Sequence, residues 1–140
     1  YPGTMDYTLD AFVDSVQKND NFPFDAYIKD FEKAMINAKY LFGRHAFRKV
    51  YETTSYDGVR SVVNKALFIS WAVCLADYDP EFIADNFLEF SWVPILGKEI
   101  SSDDTYNDLL SYGTNGWKNI IYSFAKVKEI INNKLFEVDA

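Results

Sequence analysis

Apolar residues recur at intervals of three and four positions, without a break, from Phe24 to Phe42. The positions are Phe24, Tyr27, Ile28, Phe31, Ala34, Met35, Ala38, Leu41 and Phe42. This spacing predicts a helix of about five turns that buries one face against other elements. Pro23 suits its first turn and Gly43 its C-terminal cap, so Arg44 and His45 would follow the negative end of the helix.

The segments on either side of this helix also show helical patterns. A first helix is predicted from its apolar face, which is formed by Leu9, Phe12, Val13 and Val16. Residues 51–58 are polar, contain an Asp57-Gly58 turn signal and are the predicted loop. Residues 59–76 are apolar almost all round and predict a central helix buried on several sides. Asn64 and Lys65 stand near its head, where they need polar partners or a solvent-facing edge.

The sequence of the C-terminal half predicts three further helices. Asp79-Pro80-Glu81 predicts a capped helix start, and that helix would run to Phe90 and be ended or kinked by Pro94 and Gly97. Residues 101–104 are predicted to cap a short helix that stops at Gly113. The last helix has one apolar face, formed by Trp117, Ile120, Ile121, Phe124, Val127 and Ile131. Because no segment alternates with period two, the sequence predicts one all-α, bundle-like domain of about six helices over residues 1–140.

The composition is that of a folded domain with a bulky core. Of the 140 residues, 49% are hydrophobic and 18% aromatic, which indicates a large core or an exposed apolar face for a protein partner. Cys74 is the only cysteine and lies in an apolar run, where core packing is expected. The longest apolar run, residues 66–76, is too short to span a membrane, so we expect no membrane contact and a cytoplasmic location. Because the chain starts at Tyr1, we interpret it as a fragment of a longer protein.

Positive charge is concentrated in one part of an acidic chain. The net charge is −7, yet residues 39–65 hold six basic residues and only two acids. The candidate site residues, which we call the basic island, are Arg44, His45, Arg48, Lys49, Arg60, Asn64 and Lys65. Arginine binds phosphate and carboxylate bidentately, so these side chains could face either group on a partner. Alternatively, Arg48 and Arg60 could pair with acids on neighbouring helices or with exposed carbonyls; we expect Arg48 to be such an internal brace and Arg44 to be exposed.

No complete catalytic or cofactor-binding constellation can be assembled from the sequence. His45 has no nucleophile or orienting acid nearby in sequence, which favours a surface or helix-capping role. Asp103, Asp104 and Asp108 do not match the calcium-loop spacing, and acids in a first helical turn are expected from the helix dipole. We therefore expect no enzymatic activity, metal or cofactor in this chain. The net negative charge also argues against autonomous DNA binding.

Two short motifs give the chain a resemblance to a known family. The motifs are Phe42-Gly43-x-x-Ala46-Phe47-Arg48-Lys49 and Arg60-x-x-Val63-Asn64-Lys65-Ala66-Leu67-Phe68. They resemble the helical second half of the ParB-like N-terminal domain of GmrSD-type, modification-dependent restriction proteins. Met5-Asp6-x-x-Leu9-x-x-Phe12 and Gly113-Thr114-Asn115 fit the same layout, so the resemblance covers nearly the whole chain.

The resemblance implies a role as a helical scaffold in a bacterial phage-defence protein. The family's nucleotide-hydrolysis motif, an Asp-Gly-Gln-Gln-Arg-like run, lies in a ParB-like half upstream and is absent here. The expected partner is therefore that upstream domain, and nucleic acid would be contacted only through the full-length protein. Two alternatives remain from the residues themselves: a free-standing helical module that binds a protein through its aromatic face, and a small helical hydrolase or RNase that uses His45 and Arg48.

Overall fold

Six α-helices and one 3-10 turn make up the computed structural model, which describes residues 24–112 and 116–139. In chain order they are α1 (Phe24–Phe42), η1 (Gly43–His45), α2 (Lys65–Leu75), α3 (Pro80–Asn86), α4 (Val93–Ser102), α5 (Asp104–Tyr112) and α6 (Trp117–Asp139). The predicted all-α architecture is confirmed, and α1 has the bounds that its periodicity predicts. The predicted first helix around Leu9–Val16 and the Gly113-Thr114-Asn115 motif lie outside the described residues.

The core forms around α2, which packs between α1 and α6. Trp71, on α2, is buried and meets the ring of Phe42, on α1, edge-on at a centroid distance of 4.8 Å. On the other side, the hydroxyls of Ser70 and Ser123 approach to 3.0 Å, so small residues bring α2 close to α6. Cys74 is buried as expected, and burial raises the pKa of its thiol. None of the described helices is both long and apolar enough to cross a bilayer.

The prediction that residues 59–76 form one buried helix is wrong. The helix begins only at Lys65, because Asn64 caps it by accepting a hydrogen bond from the Leu67 backbone N–H at 3.1 Å. The preceding residues lie outside the core, with Val59 99% exposed. Their apolar side chains therefore belong to the surface and require a different explanation.

The predicted start of the helix at Pro80 is confirmed, but its predicted end is wrong. This helix, α3, stops at Asn86, and Pro94 stands in the first turn of a new helix, α4. Between them the chain passes the C-terminus of α1, where the Phe90 N–H donates to the Tyr40 carbonyl at 2.8 Å. Phe90 adopts a left-handed φ of 63° to make this passage. The segment thus satisfies carbonyl groups that the end of a helix leaves free.

A polar cluster fixes the corner between α4 and α5 against α6. Asp103 caps α5, as the sequence predicts, by accepting a hydrogen bond from the Tyr106 N–H at 3.0 Å. It also accepts from the Tyr122 hydroxyl at 2.7 Å and pairs with Lys126 at 3.0 Å, while Lys126 pairs with Glu99 at 3.1 Å. These hydrogen bonds, led by the one from Tyr106, lower the pKa of Asp103 to about 2. Burial opposes the charge of Lys126, but its bonds to Asp103 and Glu99 raise the Lys126 pKa above its ordinary value.

Candidate interaction surface

The candidate site is centred on a long connection between η1 and α2, residues 46–64, which we call the basic loop; Arg44 and His45 directly precede this loop in η1, and Lys65 directly follows it in α2. The Asn64 N–H donates to the Phe47 carbonyl at 2.8 Å, and Arg48 lies opposite Val63 in an antiparallel bridge. The rings of Phe47 and Phe68 meet edge-on at 4.9 Å. The two motifs that carry the family resemblance therefore come together in space and close the base of the loop.

Two residues have left-handed backbone conformations here, one in η1 directly before the loop and one at the start of the loop. Gly43 has a φ of 61°, which is available to glycine at no steric cost, and it turns the chain at the end of α1. Phe47 has a φ of 63°, which is uncommon for a residue with a side chain and is held here by surrounding contacts. Those contacts are its carbonyl bond with Asn64 and its ring contact with Phe68. The base of the basic loop is thus fixed by packing as well as by hydrogen bonds.

His45 has a position that the sequence does not predict. We expect a surface or helix-capping histidine, but the side chain is only 1% exposed and its ring lies 6.1 Å from that of Phe90. Its Nε2 stands 2.9 Å from the Ser55 carbonyl, which can only accept, so Nε2 carries the proton and donates. His45 therefore anchors the far turn of the basic loop to the core, which is a structural role.

Three other members of the basic island also hold the loop in place. The Arg48 guanidinium donates to the Ser61 carbonyl, so the expected brace is present but bridges two parts of one loop. Lys49 donates to the Ser111 hydroxyl at 2.7 Å, near the negative C-terminal end of α5. The Asn64 amide donates to the Leu110 carbonyl at 2.8 Å, which gives this polar residue the partner it needs. These contacts attach the loop to itself and to α5.

The arginines form none of the ion pairs found in the described part of the chain. Within residues 24–112 and 116–139, those pairs join Lys33 to Asp30, Lys126 to Glu99 and Asp103, and Lys134 to Glu137. The expectation that Arg48 and Arg60 pair with acids of neighbouring helices is therefore not met there. Arg44 and Arg60 are exposed, and so is Lys65 at the first position of α2. The basic loop thus presents positive charge outward on an acidic chain.

A groove of about 430 Å³ lies between the basic loop and the α4–α5 corner. Its walls include Lys49, Tyr51, Ser61, Gly97, Ile100 and Asn107. Gly97 lies within α4 and permits the close approach, because a Cβ there would stand 2.6 Å from the Tyr51 carbonyl oxygen. The residues that line the groove include one cation, Lys49, and neutral polar residues, but no Asp or Glu. The described lining of the groove therefore has no carboxylate that could act as a general base.

The acids that the sequence brings together do not form a metal site in the described residues. Across residues 24–112 and 116–139, no three His, Cys, Asp or Glu side chains are close enough together to hold a metal ion. Of the three aspartates near the start of α5, Asp103 is engaged by Tyr106, Tyr122 and Lys126. Asp104 and Asp108 are exposed.

Comparison with known proteins adds no relatives. The chain matches no family model, no curated protein and no solved structure.

Proposed function

We propose that this chain is a non-catalytic helical scaffold domain that uses its basic loop to bind an acidic face of an adjacent protein domain. The observation that carries the proposal is the exposure of Arg44 and Arg60, neither of which pairs with a carboxylate among the described residues. The chain has 21 acids and 14 lysines and arginines, so carboxylates for internal pairing are abundant. Arginines left outward under these conditions are available to a partner.

The hydrogen bonds that attach the loop to itself and to the core support a binding role. His45, Arg48, Lys49 and Asn64 use their polar groups to fix the loop to itself and to the core. A surface that is already ordered loses less conformational entropy when it binds, which favours affinity. The basic island is therefore divided between residues that hold the loop and two exposed arginines, Arg60 within the loop and Arg44 directly before it.

The family resemblance supplies the identity of the partner in this proposal. It points to a ParB-like, nucleotide-hydrolysing domain of the same bacterial restriction or phage-defence protein, in the cytoplasm. Support comes from the two motif blocks, which meet in the structure through Phe47, Asn64 and Phe68. Nucleic acid would then reach this chain only as part of the full-length protein.

A second candidate function rests on a different surface. Ile28 and Phe31, on α1, are each about half exposed, although they belong to the apolar stripe that predicts that helix. The exposure of these two apolar side chains favours the alternative function, a free-standing interaction module that binds a protein partner through an apolar face. Binding of this kind would depend on Phe31 and would be insensitive to salt, whereas binding through arginines weakens as salt increases.

Binding in trans tests the proposal. The remainder of the reading frame that encodes residues 1–140 is expressed as a separate polypeptide, and its affinity for this chain is measured by isothermal titration calorimetry. We expect Arg60→Glu and Arg44→Glu each to weaken binding by about tenfold or more, because each places a like charge against an acidic face. Lys29→Glu is the matched control, since Lys29 is an exposed cation on α1, away from the loop in sequence.

Three results would contradict the proposal or a part of it. Equal affinity of the Arg60→Glu, Lys29→Glu and wild-type chains would remove the basic loop from the interface. Binding that is lost in Phe31→Ser but unchanged in both arginine variants would favour the α1 surface instead. A reading frame that encodes no ParB-like domain beside this chain would contradict the identity of the partner.

A further inference from the structure

The last part of the basic loop, residues 59–63, is an exposed segment with the composition of a β-strand. We call it the edge segment; its sequence is Val59-Arg60-Ser61-Val62-Val63, with three β-branched valines. Val59 is 99% exposed and Val62 is 84% exposed. Apolar side chains this exposed contribute nothing to the core, so their presence next to Arg60 points to a surface that contacts another molecule.

The register of the loop leaves one side of this segment open. The Asn64 N–H donates to the Phe47 carbonyl, and the adjacent residues Arg48 and Val63 lie opposite each other without a backbone hydrogen bond between them. In such a pair the N–H and C=O of Val63 point away from residues 47–49, which lie on the other side of the bridge. Among the described residues, no backbone N–H of residues 59–63 donates a hydrogen bond. Residues 59–62 belong to no regular strand in this structure, but their unbonded N–H groups are those to which an added strand would bond, while the Ser61 carbonyl already accepts from the Arg48 guanidinium.

The neighbourhood of the segment determines which strand fits. Arg48 reaches the Ser61 carbonyl, and the Ser61 hydroxyl donates to the Lys49 carbonyl at 2.7 Å, so both basic residues lie beside the segment. Arg60 is within it, and its side chain is exposed. A strand laid along this edge would meet the positive charges of Arg48 and Arg60, since the Lys49 ammonium is held by the Ser111 hydroxyl on α5. Acidic side chains on the incoming strand are therefore the complementary choice.

We propose that residues 59–63 bind an extended acidic strand of the partner protein by adding it to this edge through backbone hydrogen bonds. This mode gives affinity through the main chain and selectivity through side chains on alternate positions. The inference rests on the proposed function for the existence of a partner, and it specifies how that partner is held. The valines pack against apolar side chains of the incoming strand, while Arg60 meets its carboxylates.

A second copy of the chain is the competing occupant, because two open edges can also pair with each other. Arg60 and its neighbours would then face the same cations on the other copy, which opposes self-pairing. Sedimentation equilibrium of the wild-type chain decides this point. We expect a monomer, and a dimer that Val63→Pro converts to monomer would overturn the proposal of an acidic partner strand.

The test uses a synthetic peptide that alternates Val or Thr with Asp or Glu, titrated into the ¹⁵N-labelled chain. We expect saturable shifts of the amide signals of residues 59–63 in NMR spectra. The same peptide with N-methyl groups on alternate residues keeps its side chains but loses backbone donors along one edge. We expect it to bind at least about tenfold more weakly, which corresponds to the loss of one or two hydrogen bonds.

The protein supplies a matched pair of variants at adjacent positions. Val63→Pro removes the N–H that points away from residues 47–49, whereas Val62→Pro removes an N–H on the inner side of the segment. We expect Val63→Pro to abolish binding and Val62→Pro to retain it, with circular dichroism confirming that both variants are folded. If Val63→Pro fails to fold, the N-methylated peptide alone decides. Equal binding of the methylated and unmethylated peptides, or no binding at millimolar peptide, would overturn the proposal.

The outcome separates this inference from the proposed function. If the partner polypeptide binds in trans, depends on Arg60 and tolerates Val63→Pro, the basic loop is an interface but strand addition is wrong. If the acidic peptide binds at residues 59–63 while the partner polypeptide does not bind at all, the edge is a binding site and the proposed partner is wrong.

Discussion

Gly97, within α4, lies directly against the backbone of Tyr51 in the basic loop. A Cβ at this position would stand 2.6 Å from the Tyr51 carbonyl oxygen, a separation that atoms in contact do not tolerate. Glycine inside a helix usually destabilises it relative to alanine. Here it is required because the helix surface and the loop backbone touch without an intervening side chain.

We therefore predict that Gly97→Ala destabilises the protein although it improves helix propensity. The added methyl group must displace the loop backbone, at a cost of about 1–3 kcal/mol in the free energy of unfolding. Urea denaturation measures this change, with Ser102→Ala as the control at an exposed position of the same helix. A Gly97→Ala protein as stable as the wild type would show that the loop does not pack on α4 as described.

The aromatic residues of α2 should differ in their contribution to stability. Trp71 is buried against Phe42 and Trp92, so Trp71→Ala should cost about 3–5 kcal/mol. Phe68 is only partly buried and packs between Phe31 and Phe47 near the surface, so Phe68→Ala should cost about 1–3 kcal/mol. Equal losses in chemical denaturation would contradict the placement of Phe68 at the edge of the core.

The hydrogen bonds to Asp103 predict a loss of stability in acid. The pKa of Asp103 is lowered from an ordinary value of 3.8 to about 2 in the folded protein. As the pH falls, this carboxyl group is therefore protonated in the unfolded chain before it is protonated in the folded protein. The ionised Asp103 carboxylate thus contributes to the free energy of unfolding above about pH 4, and this contribution is lost as the pH falls towards 2. Asp103→Asn keeps a capping side chain but removes the charge, so its free energy of unfolding should vary less between pH 4 and 2.

Tyr122→Phe provides a second test of the same cluster. It removes one hydrogen bond to Asp103 and leaves the Tyr106 and Lys126 partners in place, so the acid dependence should be intermediate. Both variants are measured by urea denaturation across that pH range. An acid profile of Asp103→Asn identical to that of the wild type would contradict the role assigned to this carboxylate.

His45 should matter for stability and not for hydrolysis. His45→Ala removes a buried ring and leaves the Ser55 carbonyl without its donor, at a cost of about 1–3 kcal/mol. The purified chain should hydrolyse neither nucleoside triphosphates nor nucleic acid, since the buried ring donates to a backbone carbonyl. Turnover by the wild-type chain that His45→Ala abolishes, in a variant shown to be folded, would support the hydrolase alternative.

The sequence predicts elements that rest on local periodicity and misses those that rest on distant contacts. The stripe from Phe24 to Phe42 predicts α1 with its bounds because its spacing is helical throughout, although Ile28 and Phe31 are exposed and, among its described side chains, the buried ones lie from Ala34 to Phe42. The valines at 59, 62 and 63 adjoin the apolar run of α2, and apolarity alone does not tell an exposed edge from a buried helix. The Asp57-Gly58 turn followed by β-branched residues and a capping Asn64 is the signal that separates the two.

For Arg44 and Arg48 the sequence indicates the local role, whereas for His45 it does not. Arg48 is a brace and Arg44 is exposed, as the positions after Phe47 and Gly43 suggest. The burial of His45 depends on the Ser55 carbonyl and the Phe90 ring, which lie ten or more positions away and follow no local pattern. Pro94 was ambiguous, since proline both ends one helix and suits the first turn of the next.

The central claim is that Arg60 and Arg44 serve a partner whereas Arg48 serves the fold of this chain. The most direct measurement is the free energy of unfolding, by urea denaturation, of the isolated chain carrying Arg44→Ala, Arg48→Ala or Arg60→Ala. We predict changes within about 0.5 kcal/mol for Arg44→Ala and Arg60→Ala, and a loss of about 1–3 kcal/mol for Arg48→Ala, whose Ser61 carbonyl loses a charged donor. A loss in Arg60→Ala as large as that in Arg48→Ala would contradict the account.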